Sequence, residues 1–173
     1  QALAKRVRSG DPDNLEAQGA RQYWGLLMGS LFRRDQQADG INALLNYGYT
    51  VLRAATARAV VAAGLHPSLG LHHSHDNNAM RLVDDLMEPF RPVIDLTVWH
   101  LQSSGPCAVN ADTKRALVQS LYQDLPTDSG RTPVLVAVQK LAISLAQVQL
   151  GERKALDLPW PGVPLLQVPD LDD

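Results

Sequence analysis

A chain of 173 residues is long enough for one domain with a substantial core, since folding at this length buries about 70% of the surface an unfolded chain exposes. Its content, 45% hydrophobic and 20% charged, is that of a globular protein, and no apolar run approaches the roughly 18 residues of a membrane-spanning helix. The single cysteine, Cys107, excludes an internal disulfide, no signal peptide is visible, and a net charge of −2 excludes a uniformly basic nucleic-acid binder; a reducing cytoplasm is the expected compartment.

The predicted elements are all helical. Asp11-Pro12 reads as an N-cap with proline at the first helical position, opening a helix that runs to about Leu27. Gly29 and the polar run RRDQQADG (Arg33–Gly40) form a loop. A second helix spans Ile41 to about Ala63, with Leu44, Leu45, Gly48, Val51, Leu52, Ala55, Ala59 and Val60 at near-helical spacing, Gly64 as its cap and Pro67 as a stop. A third covers Ala79–Glu88; Pro89 and Pro92 then kink or break the chain before another at Val93–Gln102. Asn110 caps a helix to about Asp124, with Leu117, Leu121 and Leu125 inward. Val134, Val138, Leu141, Leu145 and Val148 form the clearest amphipathic stripe. No strand pattern is found. The sum is an all-α fold of five to seven helices, a body over 1–153 and a Pro-rich acidic tail over 154–173, whose Trp160, Leu165 and Leu166 dock on the body or on a partner.

Charge is distributed unevenly. Residues 1–60 carry eight basic and five acidic side chains, residues 152–173 two and five, and arginines outnumber lysines twelve to four. The planar guanidinium binds two phosphate oxygens at once, so this bias suits a phosphate-rich ligand, although surface ion pairs would use the same residues.

The stretch GLHHSHDNNAMRLVDDLMEPFRP (Gly70–Pro92) sets histidines beside a helical acid cluster. Asp85 and Glu88 stand at i and i+3, Asp84 and Glu88 at i and i+4, so like charges share one face at a cost of a few tenths of a kcal/mol per pair. A divalent cation removes that cost, and the apolar neighbours Leu82, Val83, Leu86, Met87 and Phe90 argue against a merely solvated acidic helix. Closing a coordination sphere requires a ligand from elsewhere, for which Glu16 in DNLEAQGAR is the candidate. One nitrogen among carboxylate oxygens suits Mg²⁺ or Mn²⁺ better than Zn²⁺.

The segments DNLEAQGARQYWGLLMG, FRRDQQADGINALLNYGYTVLRAATARAVVAAGLHPSLGLHH and LVDDLMEPFRPVID resemble the CRISPR-associated integrase of spacer acquisition, the Cas-one family, most of all its type II branch. The resemblance covers about Asp13–Gln102, and helical pattern alone carries it to Gly151. It implies a helical catalytic domain that holds one Mg²⁺ or Mn²⁺ ion through Glu16, His73 and Glu88, with Asp85 supporting the site; His72 is the rival for the histidine role. It implies an endonuclease and integrase acting on double-stranded DNA, both protospacer and CRISPR repeat, with a Cas-two companion subunit and a homodimer in the full-length protein. Arg21, Arg33, Arg34, Arg81, Arg91 and His75 are then candidates for phosphate contacts, and Cys107 is inert. Two departures accompany the likeness. The family's N-terminal β-rich domain is not recognised here and the chain starts at Gln1, so a catalytic-domain fragment is expected; and Asp76 stands where a basic residue would suit DNA. A non-catalytic helical binding module and an unrelated metal-dependent phosphohydrolase are the competing readings.

Overall fold

A computed structural model describes residues 13–71, 78–103, 105, 108–128 and 130–160. Within them lie six α-helices and one small sheet: α1 (Leu15–Met28), α2 (Ile41–Ala62), α3 (Arg81–Met87), α4 (Arg91–Ser103), α5 (Ala111–Gln119), β1 (Asp124–Thr127), β2 (Gly130–Pro133) and α6 (Val134–Gln149). No helix of the described residues is long and apolar enough to cross a membrane.

α2 is the axis of the fold, packing against α3, α4, α5 and α6. Leu44, Leu45, Leu52 and Val60 are fully buried along it, and Leu82, Phe90, Ile94, Leu117 and Leu141 meet them from the surrounding helices. Gly48 permits the closest approach, since its missing side chain leaves room for Ile94 of α4 and Leu117 of α5. Gly64 ends the helix with φ +76°, a left-handed turn that glycine adopts without a Cβ clash.

Four expectations need correction. The expected cap and first helical position, Asp11-Pro12, lie outside the described residues; α1 begins at Leu15, and Asn14 before it sits in the left-handed region with φ 52°, so the helix does not run through that residue. The α-helix is interrupted at Pro89 as expected, but the next helix starts earlier than Val93. Glu88–Phe90 form one 3₁₀ turn, and α4 then starts at Arg91 with Pro92 in its first turn, where a missing N–H goes unused. Asn110 does cap α5: its side-chain oxygen accepts from Asp112 N and Thr113 N, both at 2.9 Å, while Thr113 Oγ1 accepts from Asn110 N. That helix stops at Gln119, however, and after a 3₁₀ turn over Ser120–Tyr122 the chain forms an antiparallel hairpin, Asp124 opposite Pro133 and Thr127 opposite Gly130. Leu125 points inward from a strand, not from a helix. The fold is thus mainly helical with one hairpin.

The stripe on α6 buries Val134, Val138, Leu141 and Leu145 as expected. Beyond α6, Asp157 N donates to the buried Ser144 Oγ at 2.9 Å. Trp160 lies on the hairpin, its backbone N–H bonded to Pro126 O at 3.1 Å and its indole Nε1 to Asp128 Oδ1 at 2.6 Å. Of the three tail residues expected to dock, Trp160 meets the body; Leu165 and Leu166 lie outside the described residues.

Candidate active site

An open cavity of about 370 Å³ lies between α1, the loop before α2, and α4. Gly19, Ala20, Tyr23 and Trp24 line it from α1, Arg34 and Gln36 from the loop, and Tyr49 from α2. Glu88, Arg91, Pro92 and Asp95 complete the wall. The loop's geometry follows from its polar sequence. Arg34 donates to Asn42 Oδ1 at 3.0 Å and Asn46 Oδ1 at 2.6 Å, while Asn42 and Asn46 donate to the carbonyls of Arg33 and Gln36. The first two turns of α2 thereby hold the arginine loop at the cavity's edge.

Asp95 is buried, 3% exposed, and accepts a hydrogen bond on each carboxylate oxygen: from Tyr23 at 2.6 Å and from Tyr49 in a short bond. Burial pushes its carboxyl above the usual carboxylate range, against the pull of the two tyrosine hydroxyls and the nearby Arg91 and Arg34. Burial and Asp95 together push both tyrosine hydroxyls up, so neither is an acid near neutral pH. Two guanidinium groups stack on the Tyr49 ring, Arg91 at 4.5 Å and Arg34 at 5.6 Å from its centre. Arg91 also pairs with Glu88 Oε1 at 2.6 Å. The cavity therefore offers a carboxylate at its rim and two cations over an aromatic floor.

Neighbouring acids on α3 do different work. Asp84 pairs with Arg53 of α2 at 2.6 and 3.0 Å and accepts from Asn78 Nδ2 at 2.7 Å. Asp85 accepts the backbone N–H of Leu71 at 2.6 Å. Consecutive carboxylates thus hold Leu71 and Asn78, the residues that flank 72–77 in sequence.

Of the three expected metal ligands, His73 lies outside the described residues, as do the rival His72 and the phosphate candidate His75. Glu88 lines the cavity. Glu16 precedes Gly19, Ala20 and Tyr23 by three, four and seven positions, which sets it on their face of α1, one turn nearer the helix start than the cavity wall. Glu88 thus borders the cavity and Glu16 lies one turn beyond its wall; carboxylate oxygens are the donor type that suits a hard divalent cation. Among the described residues no three His, Cys, Asp or Glu side chains form a metal-holding group. Of the expected phosphate contacts, Arg34 and Arg91 line the cavity. Exposed Arg21 bonds to the Ala17 carbonyl, exposed Arg33 to those of Ser30 and Phe32, and Arg81 to that of Ser68. Sequence reasoning missed Tyr23, Tyr49 and Asp95. One signal was legible: an aspartate in the apolar run Val93, Ile94, Val98, seven positions after Glu88.

The family model described as CRISPR associated protein Cas1 matches residues 12–121, a span that contains the whole cavity wall. The chain is 38% identical over 163 residues to a CRISPR-associated endonuclease Cas1 of Neisseria meningitidis serogroup C, covering 93% of this chain and 53% of that protein. It is 36% identical over 132 residues to a CRISPR-associated endonuclease Cas1 of Pyrobaculum aerophilum, covering 75% and 43%. The chain spans about half the length of the curated relatives it matches. In fold it is similar to a solved casposase bound to integration product, with a TM-score of 0.73 at 24% identity over 88% of this chain and 51% of that one.

Proposed function

The chain belongs to the CRISPR associated protein Cas1 family, and from that premise we propose that it is the helical catalytic part of a divalent-metal-dependent DNA integrase and endonuclease. The observation that carries this reading is the cavity that Glu88 shares with the Glu16 face of α1, with Arg34 and Arg91 in its wall. Glu16, His73 and Glu88 would hold Mg²⁺ or Mn²⁺, which when bound polarises a phosphoryl oxygen and stabilises the charge that develops there.

The residues of the chain divide the remaining tasks. Arg34 and Arg91 present fixed positive charge to a phosphodiester, their orientation set by Asn42, Asn46 and the Tyr49 ring. Asp85 holds the backbone two residues before His73, so it acts on the histidine through the chain. A 3′-hydroxyl of the captured DNA attacks a phosphodiester at the repeat edge. One P–O bond forms as the bond to the target strand's 3′ oxygen breaks, and the proton lost by one hydroxyl is gained by the other. The nucleophile belongs to DNA, so no serine or cysteine nucleophile is required. Double-stranded protospacer and repeat DNA are the substrates of this reading, and a Cas-two companion and a second copy of the intact protein its partners.

Strand transfer by the intact protein with its companion, in Mg²⁺ or Mn²⁺, tests it. Alanine at Glu16, His73 or Glu88 should abolish transfer without lowering the melting temperature appreciably; activity surviving in two of the three would refute the ligand set. In a calorimetric Mn²⁺ titration, Glu88→Gln should remove binding, whereas Asp85→Asn, a group acting behind the ligands, should weaken it about 10- to 100-fold. The reverse order would place the ligand at Asp85.

A further inference from the structure

α1 carries Glu16 but is lightly held: of its 14 residues only Leu15 and Met28 are buried. Gln18 and Arg21 spend hydrogen bonds locally, on the carbonyls of Asp13 and Ala17. Tyr23 reaches across instead, to Asp95 of α4, and Asp95 is gripped on its other oxygen by Tyr49 of the central helix. The clasp Tyr23–Asp95–Tyr49 therefore joins a lightly held helix to the central one.

Its placement along the helices gives it a consequence. On α1, Glu16 and Tyr23 are seven residues apart on one stripe, with the small residues Gly19 and Ala20 between them facing the cavity. On the opposite wall, Glu88 and Asp95 are also seven residues apart, with Arg91 and Pro92 between. On α1 the interval is two turns, about 10 Å, and the one from Glu88 to Asp95, which opens with the 3₁₀ turn, is slightly longer. On the reading that Glu16 and Glu88 hold one ion, the stripes run side by side in the same direction. A tie between Tyr23 and Asp95 at one end then fixes the separation of Glu16 and Glu88 at the other.

We propose that Tyr23 and Asp95 are positioning residues of the metal centre: their hydrogen bond sets the distance between the two ligand carboxylates. Coordination by a small divalent ion tolerates little error in that distance, Mg²⁺ demanding oxygens at about 2.1 Å in a near-ideal octahedron.

Tyr23→Phe is the selective variant, since it removes one oxygen from a residue already 38% exposed and leaves Asp95–Tyr49 intact. In the intact protein, calorimetric Mn²⁺ titration well below the melting temperature should show affinity reduced about tenfold, and saturating Mn²⁺ should restore the strand-transfer rate. Amide exchange should quicken over α1 in the same variant. Tyr49→Phe keeps the tie between α1 and α4, so it should lower the melting temperature more and weaken Mn²⁺ less. A purely structural clasp would make Mn²⁺ affinity follow the melting temperature, so that Tyr49→Phe weakened it more than Tyr23→Phe. Mn²⁺ affinity of Tyr23→Phe indistinguishable from wild type, alongside loss of the ion in Glu88→Gln, overturns the positioning role while sparing the ligand assignment. Unaltered Mn²⁺ affinity in Glu88→Gln overturns the ligand assignment, and the positioning role with it.

Discussion

α1 and α2 lie in one domain yet are held by different physics. Ten of the 22 residues of α2 are buried, in a stripe that four other helices cover, whereas two of the 14 in α1 are. Burial at about 25 cal/mol per Å² gives α2 its place through many small, redundant contributions. α1 depends on a few side chains, among them Trp24, Leu27 and Met28 at its end and the Tyr23 hydroxyl. A helix placed by redundant packing resists change at any one position. A helix placed by directional bonds is precise only while those bonds persist, and it is the second kind that bears Glu16.

Matched truncations give the sharpest contrast. Leu45→Ala on α2 should cost about 2–5 kcal/mol in denaturant unfolding, because Leu45 is fully buried, while Leu26→Ala on α1, 88% exposed, should stay within about 0.5 kcal/mol. Similar values for the two would erase the distinction. Gly48→Ala probes the tightness of α2 in the other direction. Its new methyl would collide with Ile94 and stand 3.1 Å from Leu117, so overpacking of about 1–3 kcal/mol should outweigh the roughly 1 kcal/mol that alanine adds to helix propensity. A net gain in stability would show that α4 and α5 yield more readily than their packing suggests. The smallest effect tests the clasp between the two regions. Asp95's carboxyl is raised by burial, so the folded chain holds its proton more tightly than the unfolded one. Wild-type stability relative to Asp95→Asn should therefore be greatest below the ordinary carboxylate range and fall as pH rises through the raised value. A stability difference that grows with pH would reverse the assignment.

The same division explains what could be read from the sequence. α2 and α6 were legible because a buried stripe repeats along the chain, and Gly64 ends α2 with a turn that glycine favours. The hairpin was not, because Leu117, Leu121 and Leu125 satisfy helical spacing even though Leu125 sits on a strand, and each strand is four residues long and contains a proline. Glu88 and Asp85 stood out through local charge crowding and through the resemblance of their motif. Asp95 did not, because its partners Tyr49 and Tyr23 are 46 and 72 residues away and no local spacing encodes a bond made across three helices. What is periodic along the chain is visible in it; a contact closed by tertiary packing is not.

Pro126 and Trp160 have a bearing on life in a crowded solution. A two-stranded ribbon exposes outer edges, and an exposed edge is a template on which a strand of another molecule can lay itself down. In antiparallel pairing a residue whose carbonyl points away from its partner strand points its N–H the same way. Pro126 is such a residue: its outward carbonyl accepts from Trp160, and as a proline it has no N–H to offer. At the middle of β1, a visiting strand would therefore find neither a donor nor a vacant acceptor. The indole bond to Asp128 secures that arrangement, so the segment following α6 serves as a guard against intermolecular strand addition.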